Sequence, residues 1–269
     1  MTTPENIPEL SLAVTEGIEA EFMYQLVDGT PEPARTELGI STTRIGGGVV
    51  LSVRNDPSSY WSKALGFTEP ITPELIAEVV DFYRADGAPL GVLQIAPSAL
   101  PADWDEIAAS HGLRAGNQIH KHAARIDSLQ FGSSDLRVDE VTPEQAEEWA
   151  TVMLTGFGMP LEGLTEMVVA TVTNPVFRGF AAWDGDRIVA TGNLLIQDGV
   201  GCLHAGATAA DHRGRGAQSA LIAARAKAAA DAGCEWVVSE TGTSGSSLNN
   251  MLRTGLRTLY TRPNWIWEA

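Results

Sequence analysis

Apolar positions along this chain alternate between two spacings. In "TPELIAEVVDFYRADG", Ile76, Val79, Val80 and Tyr83 recur at intervals of three and four, which places them on one face of a helix. Thr72 is suited to cap that helix, Pro73 to open it and Gly87 to end it. Similar spacing predicts helices at about 10–26 and 103–111. Between them, "LGISTTRIGGGVVLSVR", "PLGVLQIA" and "AGNQIHKHAARI" read as strands. The glycines of "RIGGGVV" run into β-branched residues, so they mark a bulge or a turn within a strand region. The polar stretch "DSLQFGSSD" at 127–135 then breaks both periods and is the candidate linker, dividing the chain into units of 1–130 and 135–269.

The second unit has a clearer order. Strand "LRVDEV" precedes helix "TPEQAEEWATVMLTGFG", with Thr142 as cap and Pro143 at its first position. A second helix, "LEGLTEMVVATV", leads to three strands: "FRGFAAW", "RIVATGNLLIQ" and "GCLHAGAT". Asp-Gly pairs in "DGD" and "DGV" supply the positive φ of tight hairpin turns, so these strands are antiparallel. A helix at about 215–232, strand "WVVSE", a short helix near 246–253 and a last strand "LYTRPNWIW" complete the unit. "HGLRAGNQIHKHA" and "TGLRTLYTRPNWI" each place Gly-Leu-Arg between a helix and a strand, a hint of duplication.

Composition narrows the classes. The 269 residues are 44% hydrophobic and 19% charged, the balance of a soluble globular protein. No apolar run of about 18 residues or more is present, and "MTTPENIPELSLAVTEG" lacks the basic and apolar regions of a secretory signal. Cys202 and Cys234 do not form a disulfide framework and read as buried thiols, so a cytoplasmic protein is expected. The formal charge is −16. Such a surface repels nucleic acid and anionic membrane, and a homodimer is compatible with it.

Against that acidity, "HRGRGAQSA" sets Arg213 and Arg215 around Gly214, with Gly216 opening a helix. Unpaired N–H groups and the partial positive charge of a helix N-terminus, close approach at glycine, and two arginines together suit a pyrophosphate. The run is not GxGxxG, it is not a P-loop, and antiparallel strands precede it, which excludes both nucleotide-binding folds. Arg213-Gly214-Arg215-Gly216-Ala217-Gln218, in this order of elements, resembles the GNAT superfamily of N-acetyltransferases. Gln218 stands where that family's signature has a second Gly or Ala.

The resemblance implies an α/β fold of two GNAT-like units in tandem, each a mostly antiparallel sheet flanked by helices, the first unit degenerate. It implies acetyl-CoA as cofactor. Gly214, Arg215, Gly216, Ala217, Gln218 and Ser219, with Arg213, would hold the pyrophosphate; Gly206, Ala207 and Thr208 would pair with the pantetheine; Asn250 would touch the cofactor. Glu240, ending "WVVSE", is the expected general base acting through water, with His204 as the alternative. The family's helix tyrosine is missing. Tyr260 is the nearest candidate acid. His120 and His122 alternate on a strand without a third ligand in spacing, so no metal is expected. The expected acceptor is an amine, small molecule or peptide, contacted near Phe157 and on the face shared by the halves. A non-catalytic acyl-CoA-binding module is the competing reading, and a ligand-binding role for the first half is the third.

Overall fold

A computed structural model describes residues 10–269. The first half contains α1 (Leu12–Asp28), α2 (Ala34–Leu38), β1 (Ile40–Ile45), β2 (Gly48–Val53), β3 (Lys63–Leu65), α3 (Pro73–Asp86), β4 (Leu90–Gln94), α4 (Trp104–Ser110) and β5 (Arg114–Arg125). The second contains β6 (Arg137–Glu140), α5 (Ala146–Phe157), α6 (Thr165–Thr173), β7 (Phe177–Asp184), β8 (Arg187–Gln197), β9 (Val200–Thr208), α7 (Ala217–Asp231), β10 (Trp236–Gly242), α8 (Ser246–Thr254) and β11 (Arg257–Glu268). Local chemistry sets the clearest boundaries. Thr72 accepts a hydrogen bond from the Leu75 N–H at 3.2 Å, and Gly87 closes α3 with φ 70°. Helix α2 and strand β3 are the elements that periodicity does not reveal, because five and three residues are too few to show a period.

The eleven strands among the described residues join in one mixed sheet, in the order β1-β2-β3-β4-β11-β5-β10-β9-β8-β7-β6. The halves repeat one pairing scheme. β1/β2 and β2/β3 are antiparallel and β3/β4 parallel; β7/β8 and β8/β9 are antiparallel and β9/β10 parallel. The final strand of each half crosses to the other: β5 pairs with β10, and β11 pairs with β4. The two exchanged strands meet antiparallel at the centre, with Arg257 opposite Ala123 and Ile266 opposite Arg114. The Gly-Leu-Arg echo marks where each exchanged strand begins. Gly112 and Gly255 both take positive φ, and Leu113 and Leu256 are both buried. Two separate sheets, as the sequence suggests, are therefore fused into one by this exchange.

Helices cover the sheet in three apolar clusters. α3 and α4 cover one region of the first half, and α7 and α8 cover one of the second. The third cluster is shared: Ile18, Phe22, Met23 and Leu26 of α1 pack with Trp149 and Met153 of α5 and with Met167 and Val168 of α6. α1 thus serves both halves. Burial of this kind contributes about 25 cal/mol per Å² of apolar surface, so separating the halves would forfeit a large share of the stability.

His122 of β5 is fully buried between β10 and β11, with its ring nitrogens 2.8 Å from Thr241 Oγ1 and 3.2 Å from Thr258 Oγ1. Burial, with His120 nearby, pushes its pKa down to about 4. The unfolded chain, with a histidine pKa of about 6.5, takes up that proton first. The resulting stability is intact above pH 6.5 and is lost as the pH falls towards 4, an effect on the order of 3 kcal/mol. In urea unfolding across that window, His122→Gln is expected to flatten the pH slope by about one proton; an unchanged slope would contradict a buried neutral imidazole.

Candidate functional site

The parallel strands β9 and β10 pair only over Val200–Cys202 and Trp236–Val238, then diverge. Ser239 Oγ donates to the Leu203 carbonyl at 2.8 Å, a last tie at the fork. Beyond it the β9 edge has no strand partner on that side, and a bulge distorts its other side. Thr191 faces Ala207 and Asn193 faces His204, so Ala205 and Gly206 together oppose Gly192. Ala205 holds a φ of 53°, a left-handed conformation that costs a non-glycine residue about 1–3 kcal/mol.

Arg225 of α7 fixes this distortion. It is 1% exposed and makes no carboxylate contact; its Nη1 donates to the Asn193 and His204 carbonyls at 3.1 and 3.0 Å, and its Nε to the Leu221 carbonyl at 3.1 Å. A Cβ on Gly192 would lie 2.6 Å from the guanidinium carbon, so only glycine fits opposite the bulge. Burial pushes the Arg225 pKa down to about 10. Its Nη2 has no hydrogen-bond partner and lies 4.0 Å from the place a Gly206 Cβ would take.

The glycine turn follows β9. Gly214 and Gly216 have φ of 84° and 78°, and Gly216 caps α7 without a side chain. A Cβ at Gly214 would meet nothing within 4 Å, so this stretch of backbone is open to a ligand. Arg215 is already engaged, with its guanidinium 2.6 Å from Asp184 and 2.7 Å from Asp135. His212 adds contacts to Asp184 at 3.1 Å and Asp211 at 2.8 Å. These hydrogen bonds hold the Asp184 and Asp135 carboxyls below the usual range. Arg215 therefore braces the turn, and Arg213, exposed and without a polar partner among the described residues, is its free guanidinium. Gln218 also has a building role. Its Nε2 donates to the Ala207 carbonyl at 2.8 Å and Thr208 Oγ1 at 3.0 Å, and Oε1 sits 2.9 Å from where a Gly206 Cβ would be. A large side chain at this signature position is accommodated because Gly206 leaves it room.

Every residue expected to touch a cofactor lines one cleft of about 1260 Å³: Gly206, Ala207, Thr208, Arg213 to Ser219, and Asn250. Sequence reasoning missed its other wall, made by Gln130 to Asp135 of the linker and by Arg253 of α8. The exposed aromatics Phe131 and Phe157 face the same space.

Glu240 and Tyr260 do not line that cleft; they belong to an ionic cluster where α1 crosses the exchanged strands, with Glu240 on β10 just past the fork. Glu240 contacts His204 and sits 3.5 Å from Lys121 Nζ. Lys121 donates to Glu19 at 2.7 Å, and Arg262 donates to both Glu19 oxygens at 2.6 and 2.7 Å and to Glu16. The Tyr260 hydroxyl donates to Glu16, and the phenol pKa is raised by burial and by that carboxylate. Tyr260 is not part of the cleft wall. Burial and Glu19 push the Glu240 carboxyl up, but His204 and Lys121 outweigh them and hold it below the usual range. The His204 ring stacks on Phe22 with centroids 4.2 Å apart. Glu19, His204 and Glu240 come close enough to share a metal ion, yet both Glu19 oxygens are already taken by cations, so this trio is a poor metal site.

Residues 155–253 match the model of the acetyltransferase (GNAT) family. Comparison with curated proteins finds no match. Among solved structures, a GCN5-related N-acetyltransferase from Kribbella flavida superposes with a TM-score of 0.61 at 17% identity, covering 92% of this chain and 95% of that one. A tandem GNAT protein from the clavulanic acid biosynthesis pathway gives 0.59 at 12%, covering 99% and 97%. A conserved protein of unknown function from Staphylococcus epidermidis gives 0.60 at 13%, covering 84% and 92%. The second half carries a GNAT domain, and the chain as a whole has the tandem GNAT fold.

The ionic cluster makes a stability prediction. Lys121→Met removes a fully buried cation and leaves Glu19 and Glu240 under-compensated. The expected cost is about 3–5 kcal/mol in urea unfolding at neutral pH. A loss below about 1 kcal/mol would mean that the cluster is solvated.

Proposed function

We propose that this protein binds acetyl-CoA in the cleft beside the β9–β10 fork and transfers the acetyl group to an amine by direct attack. One observation carries the reading: the unpaired β9 edge and the open glycine turn lead into a single cleft. The residues fit the cofactor. Gly214 is open, Arg213 is free, and Arg225 keeps an unused donor under Gly206. The turn amides from Gly214 to Ser219, with Arg213, would take the pyrophosphate. Gly206, Ala207 and Thr208 offer an edge to the pantetheine amides, as an added strand would. Acetyl-CoA, when bound, supplies an acyl group activated as a thioester.

The chain's own groups then handle the proton. Glu240, ionised at neutral pH, accepts it from the amine through water, and the paired His204 is the alternative acceptor. Tyr260, committed to Glu16, is given no step, and the departing coenzyme A thiolate takes its proton from water. The acceptor is an amine on a small molecule or a peptide.

A second reading, an acyl-CoA-binding module without turnover, is favoured by the pairing of Glu240 with His204 and its place beside the buried Lys121. Calorimetry with acetyl-CoA followed by acetylation of an amine panel separates the two. Turnover abolished in Glu240→Gln with binding retained supports the enzyme; binding with no turnover across the panel supports the module. Absence of binding refutes both. Arg213→Met is expected to weaken acetyl-CoA by about tenfold or more, as loss of a charged hydrogen bond does. Arg215→Met should act through the shape of the turn and so lower the unfolding midpoint as well.

A further inference from the structure

Resting on the acetyl-CoA reading, we infer that the linker between the two halves is a cofactor subsite: Phe131 receives the adenine, and Arg253 the 3′-phosphate beside it. The segment is pinned at both ends. The Gln130 N–H donates to the Thr254 carbonyl at the end of α8, at 2.8 Å. At the other end Ser134 Oγ donates to the Arg215 carbonyl at 3.0 Å, and Asp135 takes the Arg215 guanidinium. The Ser133 carbonyl lies 2.8 Å from where a Gly216 Cβ would be, so linker and glycine turn touch backbone to backbone. The linker thus spans from α8 to the glycine turn and forms one wall of the cleft.

Two exposed side chains of that wall suit a nucleotide. Phe131 is 46% exposed within a strap of glycine and serine, where an apolar ring gains nothing from water. Arg253 has no carboxylate partner among the described residues; its guanidinium donates to Asn250 Oδ1 at 2.5 Å and to the Asn249 carbonyl at 3.3 Å. In a chain of charge −16, where Arg35, Arg44, Arg84, Arg114, Arg178 and Arg187 each hold a carboxylate, this leaves Arg253, like Arg213, available to an anion. Phe131 and Arg253 flank the Gln130–Thr254 hydrogen bond, so a flat ring and an anion could be met side by side. Aromatic stacking takes a nucleobase without regard to its edges, and guanidinium suits a phosphate.

The test is calorimetry on the full chain with acetyl-CoA and with 3′-dephospho-acetyl-CoA. The wild type is expected to favour acetyl-CoA by about tenfold. Arg253→Met should bring that ratio close to one while leaving the dephospho form unaffected. Phe131→Ala should weaken both ligands by about five- to tenfold. Both side chains are exposed, so neither change threatens folding. Acetyl-CoA bound with a wild-type ratio near one, or a ratio that survives in Arg253→Met, overturns the phosphate assignment. Unchanged affinity in Phe131→Ala overturns the adenine assignment. No acetyl-CoA binding at all removes the function proposed above and this subsite with it.

Discussion

A charge removed from water must find an opposite charge at close range, and in this protein that constraint binds the halves together. Arg262 and Lys121 lie on the two exchanged central strands and are fully buried. Glu16 and Glu19 of α1 neutralise them. An isolated ion at such depth would cost several kcal/mol, so α1 cannot leave the sheet and neither exchanged strand can slip without stranding a charge. The same cluster fixes Glu240 and His204 beside the fork. The part of the site nearest the expected chemistry therefore inherits its geometry from the contact between the halves.

The cleft lined by the glycine turn follows a different logic. Its charges lie near the surface, and the strongest pairs brace the glycine turn and do not face the open space. Arg215 is the instructive case. Two arginines around one glycine looked equivalent, but Asp135 and Asp184 claim one and leave Arg213 free. The bulge in β9 is held in the same indirect way. Arg225 supplies the donors that Asn193 and His204 lack a strand to provide, and Gly192 leaves it room. A ligand meets backbone that is already arranged.

The two halves share one pairing scheme but differ at the helix that joins the two parallel strands of each, α3 between β3 and β4 and α7 between β9 and β10. In the second half Gly216 gives the N-terminus of α7 no side-chain cap. In the first, Thr72 caps α3 with its own hydroxyl and Pro73 lacks an N–H, so the equivalent end is already satisfied. One half keeps an uncapped glycine turn, and the other presents a capped helix end and contributes α1.

The sequence by itself determined what depends on near neighbours. It set the helix caps at Thr72 and Gly87, the Asp-Gly hairpins, the glycine turn and the order of elements, because a cap or a turn needs only the next few residues. The wall of the cleft from Gly206 to Ser219 was legible for the same reason. Tertiary structure alone decided the strand exchange, since the Gly-Leu-Arg echo announces two like strands and says nothing of which edge each will join. It also decided that Tyr260 turns to Glu16, that Arg215 is spent on aspartates, and that the linker forms a wall. Each of those outcomes depends on an approach between residues 31 to 244 positions apart, and pairing at that range is settled by which buried charges and edges the whole fold must satisfy.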